Sequence, residues 1–281
     1  MIKVLQAGLY TSVQDMGRFG YRNIGVPVSG IMDSISAGFA NALLNNDKND
    51  AVLEITMHGP SLEFTLSTTI IITGAEMNPA LNNIPVLNYK LYHINKGDLL
   101  TFGRLTKGLR CYLGVVGGFK TVNVLNSRSF YAGITLKGFL QKNDTIGYNK
   151  EIAHKNVTNP VISNKIQFFE TAVIEVFKGP EFELFTSQEQ KKLLSNMHTV
   201  SNQINRMGYR LEEVNVPHTK SIITSPVLPG TVQLTPSGQL IILMKDAQTT
   251  GGYPRVFQLT EKSIDIMAQK KTADTFNFKL L

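Results

Sequence analysis

The sequence predicts a mainly β (α+β) protein with few helices. Short runs rich in Val, Ile, Thr and Phe recur along the chain, and the turn-forming clusters HGP, NKGD and TPSG separate them closely. Helical periodicity is scarce, so the runs read as antiparallel strands joined by turns rather than as βαβ units.

Taken in order, the strand signals are AVLEITM at 51 to 57, TTIIITG at 68 to 74, LLTFG at 99 to 103 and LRCYLGVVGG at 109 to 118. They continue with AVIEVFKG at 172 to 179, GTVQLTP at 230 to 236 and QLIILMKD at 239 to 246. Three helices are expected. The first starts at Asp33 or Ser34 as cap and runs to Asn45, with Ile35, Phe39 and Leu43 as its apolar stripe. The second begins at Thr186, where Glu189 three places on completes a capping-box pattern and Leu193, Leu194 and Met197 form the inward face. The third runs from Thr260 through Ile264 and Met267. Barrel-like sheets capped by one helix apiece are the expected arrangement.

A chain of 281 residues is long enough for one large domain or two moderate ones. The stretch EIAHKNVTNPVISNK at 151 to 165 is polar, aperiodic and contains Pro160, which makes it the candidate linker. Domains over 1–163 and 164–281 follow. Each half then carries one copy of a short turn motif, GRFGYR at 17 to 22 and NRMGYR at 205 to 210.

The net charge is +7, but the lysines and arginines are scattered and no run of one sign builds a nucleic-acid stripe. The basic field suits an anionic small molecule or an acidic partner surface. A single cysteine, Cys111, sits in an apolar run and supports neither a disulfide framework nor a thiolate metal cluster. The amino terminus shows no apolar leader, and no stretch approaches the ~18 apolar residues of a membrane helix. A cytoplasmic protein away from membranes is expected.

Two clusters carry candidate chemistry. In VQDMGRFGYR, the glycines allow close backbone approach, while the planar guanidinium groups of Arg18 and Arg22 suit a carboxylate or phosphate. Asp15 either pins an arginine and its loop or serves as an acid or base. Arg206 and Arg210 admit the same two readings. In KDAQTTGGYPRV, a strongly apolar strand ends in Gln248, Thr249 and Thr250, more hydrogen-bonding capacity than a hairpin turn requires. Arg128, between Ser127 and Ser129, is a further anion-binding candidate. GGFKT at 117 to 121 lacks the spacing of a phosphate loop, no Gly-x-Ser-x-Gly elbow is present, and the five histidines show no ligand spacing, so no metal is expected.

These residues carry a family likeness. TSVQDMGRFGYRNIGVPVSGIMD at 11 to 33 resembles the opening signature of the family called biotin-dependent carboxyltransferase, allophanate hydrolase subunit 2 or the 5-oxoprolinase C subunit. AVLEITMHGPSLEF at 51 to 64, ITGA at 72 to 75, CYLGVVGGF at 111 to 119 and SRS at 127 to 129 follow in the family's order. VFKGPEFELF at 176 to 185, NRMGYRLE at 205 to 212, SPVLPGTVQLTPSGQ at 225 to 239 and QTTGGYPRV at 248 to 256 extend it through the second half. The chain departs from the usual pattern at Asn205, where relatives carry Asp, at Ala247, where many carry Arg, and at Asn45-Asn46 in place of Gly-Asn.

The resemblance implies two cyclophilin-like β-barrel domains and a protein that works with others. It implies a kinase-inhibitor-like B subunit and a further A subunit, the three together opening 5-oxo-L-proline to L-glutamate with ATP as a 5-oxoprolinase. Fused relatives form the carboxyltransferase part of urea carboxylase. No Met-Lys-Met biotin-attachment sequence or ATP-binding motif occurs, and Met244-Lys245-Asp246 is expected inside a strand. ATP is therefore expected to be used by the complex and no cofactor to be held by this chain, which is expected to be inactive alone. A carboxybiotin on a separate carrier is the alternative, and a non-catalytic regulator of a kinase-inhibitor-like partner is a third reading.

Overall fold

The computed structural model describes residues 1–149, 170–212, 214 and 216–281. The expected boundary between 163 and 164 and the linker at 151 to 165 lie outside them. The described residues divide into two compact units. One comprises 1–19 and 29–149; the other comprises 20–28 together with the described residues from 170 onward. The second unit is therefore discontinuous in sequence, taking a nine-residue piece from within the first opening motif.

The first unit is built from two mixed-length antiparallel sheets. A seven-stranded sheet runs in the order Phe119–Lys120, Thr145–Tyr148, Ile2–Gln6, Ser61–Phe64, Leu99–Phe102, Pro79–Leu81, Ile84–Pro85. A five-stranded sheet follows the order Tyr10–Gln14, Val52–Thr56, Lys107–Val115, Thr68–Glu76, Leu91–Ile94. Alternate residues of both sheets enter one core: Ile2, Val4, Leu62, Phe64 and Leu100 from the first meet Val13, Leu53, Ile55, Ile72, Cys111 and Leu113 from the second.

Helix α1, Ser34–Leu43, lies on the outer face of the five-stranded sheet. Asp33 caps it as the sequence suggests, accepting from the Ser36 amide at 2.9 Å and the Ser36 hydroxyl at 2.6 Å. The buried face differs from the expected stripe. Ile35, Phe39 and Leu43 are only half-buried, whereas Ser36, Ala37, Ala40 and Asn41 are buried. Small side chains let the helix approach the sheet closely: a Cβ on Gly114 would lie 2.8 Å from Leu44.

The second unit is a closed seven-stranded barrel in the order Val173–Lys178, Arg255–Leu259, Thr231–Leu234, Leu240–Leu243, Gly208–Leu211, His198–Ile204, Thr275–Leu280. Every pair is antiparallel except the closing pair, Val173–Lys178 with Thr275–Leu280. Closure leaves no open edge, which removes the pairing hazard of a free strand. Phe257, Phe276 and Phe278 fill the interior, with ring centroids 5.1 Å apart for Phe257–Phe278 and 5.3 Å for Phe276–Phe278.

Two helices accompany the barrel rather than one. Helix α2, Ser187–Ser195, starts with the expected capping box, the Thr186 hydroxyl accepting from Glu189 N at 3.3 Å and the Glu189 carboxylate from Thr186 N at 2.7 Å. It ends before Met197, which is exposed, so Leu193 supplies the buried contact. Helix α3, Glu261–Ala268, is capped by Thr260 and buries Ile264 and Met267 as expected. No helix among the described residues is long and apolar enough to cross a membrane.

Candidate functional site

The first cluster gathers residues from both ends of the first unit's sequence. Strand Tyr10–Gln14 delivers Asp15 to a turn beside the segment 127 to 129. Both carboxylate oxygens of Asp15 accept hydrogen bonds. Oδ1 receives the Ser127 and Ser129 hydroxyls at 2.6 Å each and the Gly17 amide at 2.9 Å, and Oδ2 receives the Arg128 amide at 2.5 Å. A buried carboxylate with four donors is well satisfied, and it fixes the 127 to 129 loop to the opening motif. Arg18 is fully buried and donates through Nε to the Val124 carbonyl at 3.2 Å and through a terminal nitrogen to the Ser129 carbonyl at 2.6 Å. Arg128 is half-buried and its guanidinium donates to the Thr121 carbonyl. The structure thus brings Asp15, Arg18 and Arg128 together across more than a hundred residues of sequence.

The second cluster lies in the barrel unit and includes Arg22, four residues beyond Arg18. The piece 20 to 28 folds with the barrel. A short 3-10 turn, Arg22–Ile24, presents the Arg22 guanidinium to the carbonyls of Val227 and Thr249, the latter at 3.3 Å. Burial lowers the pKa of this guanidinium from its usual value. The Thr249 carbonyl also accepts from the Val227 amide at 3.1 Å, so one oxygen ties three segments. Gln248 is exposed, with its amide 3.5 Å from the buried Gln233. Thr250 is exposed in the short strand Thr250–Gly251, which pairs with Ser225–Pro226. Arg22, Gln248, Thr249 and Thr250 therefore share one corner of the barrel.

Arg206 and Arg210 do different work. Arg206 and Asp246, both buried, form a bidentate pair with Nε–Oδ2 2.8 Å and a terminal nitrogen to Oδ1 3.1 Å. The sequence expectation that Met244–Asp246 lies in a strand is corrected here. The strand stops at Leu243 and these residues turn, because Asp246 must face Arg206. Arg210 is exposed and reaches the Gln239 side-chain oxygen at 3.0 Å.

Other charged groups lie outside the candidate site residues of the sequence. Glu54 and Tyr112 are directly paired across strands Val52–Thr56 and Lys107–Val115. The fully buried Glu54 carboxylate accepts from Tyr112 Oη at 2.9 Å and Met32 N at 2.8 Å, and Arg110 Nε lies 3.7 Å away. Burial, then the Glu54 charge, raises the Tyr112 pKa well above its ordinary value. A charge interrupting each of two apolar runs was the available signal. In the barrel, Arg255 binds Glu181 with Nε–Oε2 2.8 Å and a terminal nitrogen to Oε1 2.7 Å. This hydrogen-bonded pairing holds the Glu181 carboxyl below its usual pKa. Among the described residues, no group of three His, Cys, Asp or Glu is gathered as a metal site.

With this geometry in hand, the likeness to known proteins extends over nearly the whole chain. The family model described as carboxyltransferase domain, subdomain A and B, matches residues 24–280. The 5-oxoprolinase C subunit of Escherichia coli (strain K12) is 34% identical over 288 residues, covering 99% of this chain and 90% of that one. Its counterpart from Haemophilus influenzae is 30% identical over 282 residues, covering 99% and 91%. The crystal structure of the K. lactis urea amidolyase superposes with a TM-score of 0.88 at 26% identity, covering 100% of this chain but 18% of that protein. The chain belongs to the carboxyltransferase domain, subdomain A and B, family.

Proposed function

We propose that this chain is the C subunit of an ATP-dependent 5-oxoprolinase, acting in the cytoplasm with the A and B subunits to convert 5-oxo-L-proline to L-glutamate. One observation carries the reading: similarity to the Escherichia coli 5-oxoprolinase C subunit spans both chains almost end to end. In the overall reaction one water adds across the lactam amide bond and the ring C–N bond breaks, while a second water is consumed as the terminal phosphoanhydride bond of ATP is cleaved to give ADP and phosphate. ATP is used by the assembled complex, this chain holds no cofactor, and alone it is inactive.

Within this reading, Arg22 is the principal anion-binding group, with Gln248, Thr249 and Thr250 as hydrogen-bonding positioners beside it. Its guanidinium is anchored to two carbonyls and half-exposed, which suits a group that meets a substrate carboxylate. Arg128 and the exposed Arg210 are further anion contacts. Arg18 and Arg206 donate to carbonyls and to Asp246 and act by shaping the loops that carry the others. Asp15, spent on four donors, positions the 127 to 129 loop. Purified with the A and B subunits, the chain is expected to release glutamate from 5-oxoproline and ATP, and Arg22→Ala to lower kcat/KM about 10- to 100-fold, the range for losing one charged hydrogen-bonding group. Absence of glutamate from the complete wild-type assembly would sink the reading.

Carboxyl transfer from a carboxybiotin on a separate carrier is the second reading. It is favoured by the family's own description and by the fold shared with the K. lactis urea amidolyase. Incubation with a labelled carboxybiotin carrier and urea separates the two, since label reaching urea supports transfer and label retained on the carrier removes it.

A further inference from the structure

The barrel corner that holds Arg22 lies over one buried polar side chain. In the strand Thr231–Leu234, Val232 and Leu234 belong to the buried core, so alternation turns Gln233 to the opposite face, where it pairs across to Ile241. On that side Ile241, Leu243, Val227 and Ala247 pack together as a small apolar seat. Gln233 is the polar side chain beside them, and it is 1% exposed.

Among the described residues, both hydrogen-bonding contacts of the Gln233 side chain go to the loop 248 to 253. Nε2 donates to the Tyr253 carbonyl at 3.4 Å, and Oε1 accepts from Gln248 Nε2 at 3.5 Å. Gly251 lies directly on the amide: a Cβ there would sit 2.5 Å from Gln233 Nε2. A buried carboxamide is costly to desolvate and adds nothing to an apolar seat, so its contribution is to the loop above it. That loop carries Gln248, whose side chain is exposed and whose preceding residue, Ala247, is buried in the seat.

A carboxamide has two N–H donors and one carbonyl acceptor. With one N–H given to Gln233, Gln248 keeps the other N–H and its oxygen for a ligand. The ring amide of a lactam is cis, so its N–H and C=O share one edge and can pair with a carboxamide through two hydrogen bonds. Urea offers the same edge, and a trans peptide does not.

We propose that Gln248 reads this cis-amide edge in the substrate and that Gln233 is the positioning residue that sets its carboxamide. The lactam case rests on the oxoprolinase reading and names what Gln248 contacts within it. Arg22, which donates to the carbonyl of the next residue, Thr249, stands in the same corner to meet the substrate carboxylate.

The test uses the complete assembly with the A and B subunits, without ATP for binding and with ATP for turnover. Three probes are titrated by calorimetry: 5-oxoproline, the corresponding γ-lactone carboxylate in which a ring oxygen replaces the N–H, and urea. The wild type should bind the lactam at least about tenfold tighter than the lactone, because the lactone leaves the Gln248 oxygen without its donor. Gln248→Ala, at an exposed position, and Gln233→Met, close in shape but without the amide, should each bring that ratio near one. The double variant should lose no more than either single, since the two residues act as one unit. In turnover both singles should raise KM and keep kcat. A wild type that binds lactam and lactone alike, or a ratio preserved in Gln248→Ala, overturns the proposal, and glutamate formation would then leave the oxoprolinase reading standing. A ratio preserved in Gln233→Met, or a Gln233→Met chain that does not fold, assigns Gln233 to the fold and removes its positioning role, with Gln248→Ala still deciding the contact. A wild type that makes no glutamate and ignores 5-oxoproline, yet binds urea at least about tenfold tighter than Gln248→Ala does, keeps the cis-amide contact and discards the oxoprolinase reading. Binding of none of the three probes overturns the proposal.

Discussion

Arg18 and Arg22 stand four residues apart in one motif, yet one is locked into carbonyls of the first unit and the other into carbonyls of the barrel. Spacing cannot distinguish such fates, because the partner of an arginine is set by tertiary approach. Arg206 is the clearer case, a buried pair with Asp246. Breaking such a pair strands a charge in a desolvated place, so Arg206→Ala is expected to cost about 3–5 kcal/mol in urea unfolding. The double variant Arg206→Ala/Asp246→Ala should cost less than the sum of the singles, and strict additivity would mean the pair is not coupled. The departure at Asn205 has a physical account: its side-chain oxygen accepts from Met207 N at 2.8 Å and Gly208 N at 3.1 Å, a role Asp fills equally. Asn205→Asp should therefore change stability by less than about 0.5 kcal/mol. His198 adds a pH dependence. Buried among the barrel phenylalanines, with Nε2 on the Leu193 carbonyl at 2.9 Å, its imidazole is held below its ordinary pKa by desolvation. The folded state refuses a proton that the unfolded state accepts at about pH 6.5, so this contribution is full above that pH. It falls as pH drops, by at most about 1.4 kcal/mol per unit, until the lowered folded value is reached. Replacing His198 by Phe should flatten that limb of the stability profile, and an unchanged slope would assign it to other groups.

The helices show what was legible at the scale of an element. Caps were readable because they are local: Asp33, Thr186 with Glu189, and Thr260 all serve as the sequence indicates. The inward face of α1 was not. Counting large apolar residues selects Ile35, Phe39 and Leu43, whereas close approach to the sheet selects Ser36, Ala37 and Ala40. The Asp33 and Thr186 caps differ in burial, and this predicts different costs. Asp33 is fully buried, so Asp33→Ala leaves the Ser36 amide and hydroxyl without their acceptor in a dry place and should cost about 2 kcal/mol or more. Thr186 is exposed, where water replaces the lost oxygen, and Thr186→Ala should cost about 1 kcal/mol or less. Chemical unfolding followed by a probe in each unit measures both, and equal costs would show that burial of the cap does not govern its worth.

At the scale of the molecule, the β class, the strand runs and the motif order were all present in the sequence, since alternation and turn residues are short-range signals. The allocation of residues 20 to 28 to the barrel was not, because it rests on contacts separated by about two hundred residues: Arg22 with Val227 and Thr249. This non-local attachment has a measurable consequence. The Thr249 carbonyl that receives Arg22 also receives the Val227 amide, so Arg22 clamps a corner whose own strands, Ser225–Pro226 and Thr250–Gly251, are only two residues long. Such short pairings open readily without an outside tie. In the full chain, Arg22→Ala should therefore speed hydrogen exchange at the Val227 amide about tenfold, the loss of one charged hydrogen bond discounted for partial exposure. The Gly230 amide, bonded to the Leu243 carbonyl at 2.7 Å beside the central barrel strands, should keep its rate, as should Cys111 in the first unit. Faster exchange at all three would mean that Arg22 supports global stability. Acceleration confined to Val227 would identify it as a local clamp on the loop that carries Thr249 and Thr250, and would couple the first motif of the sequence directly to the order of the last.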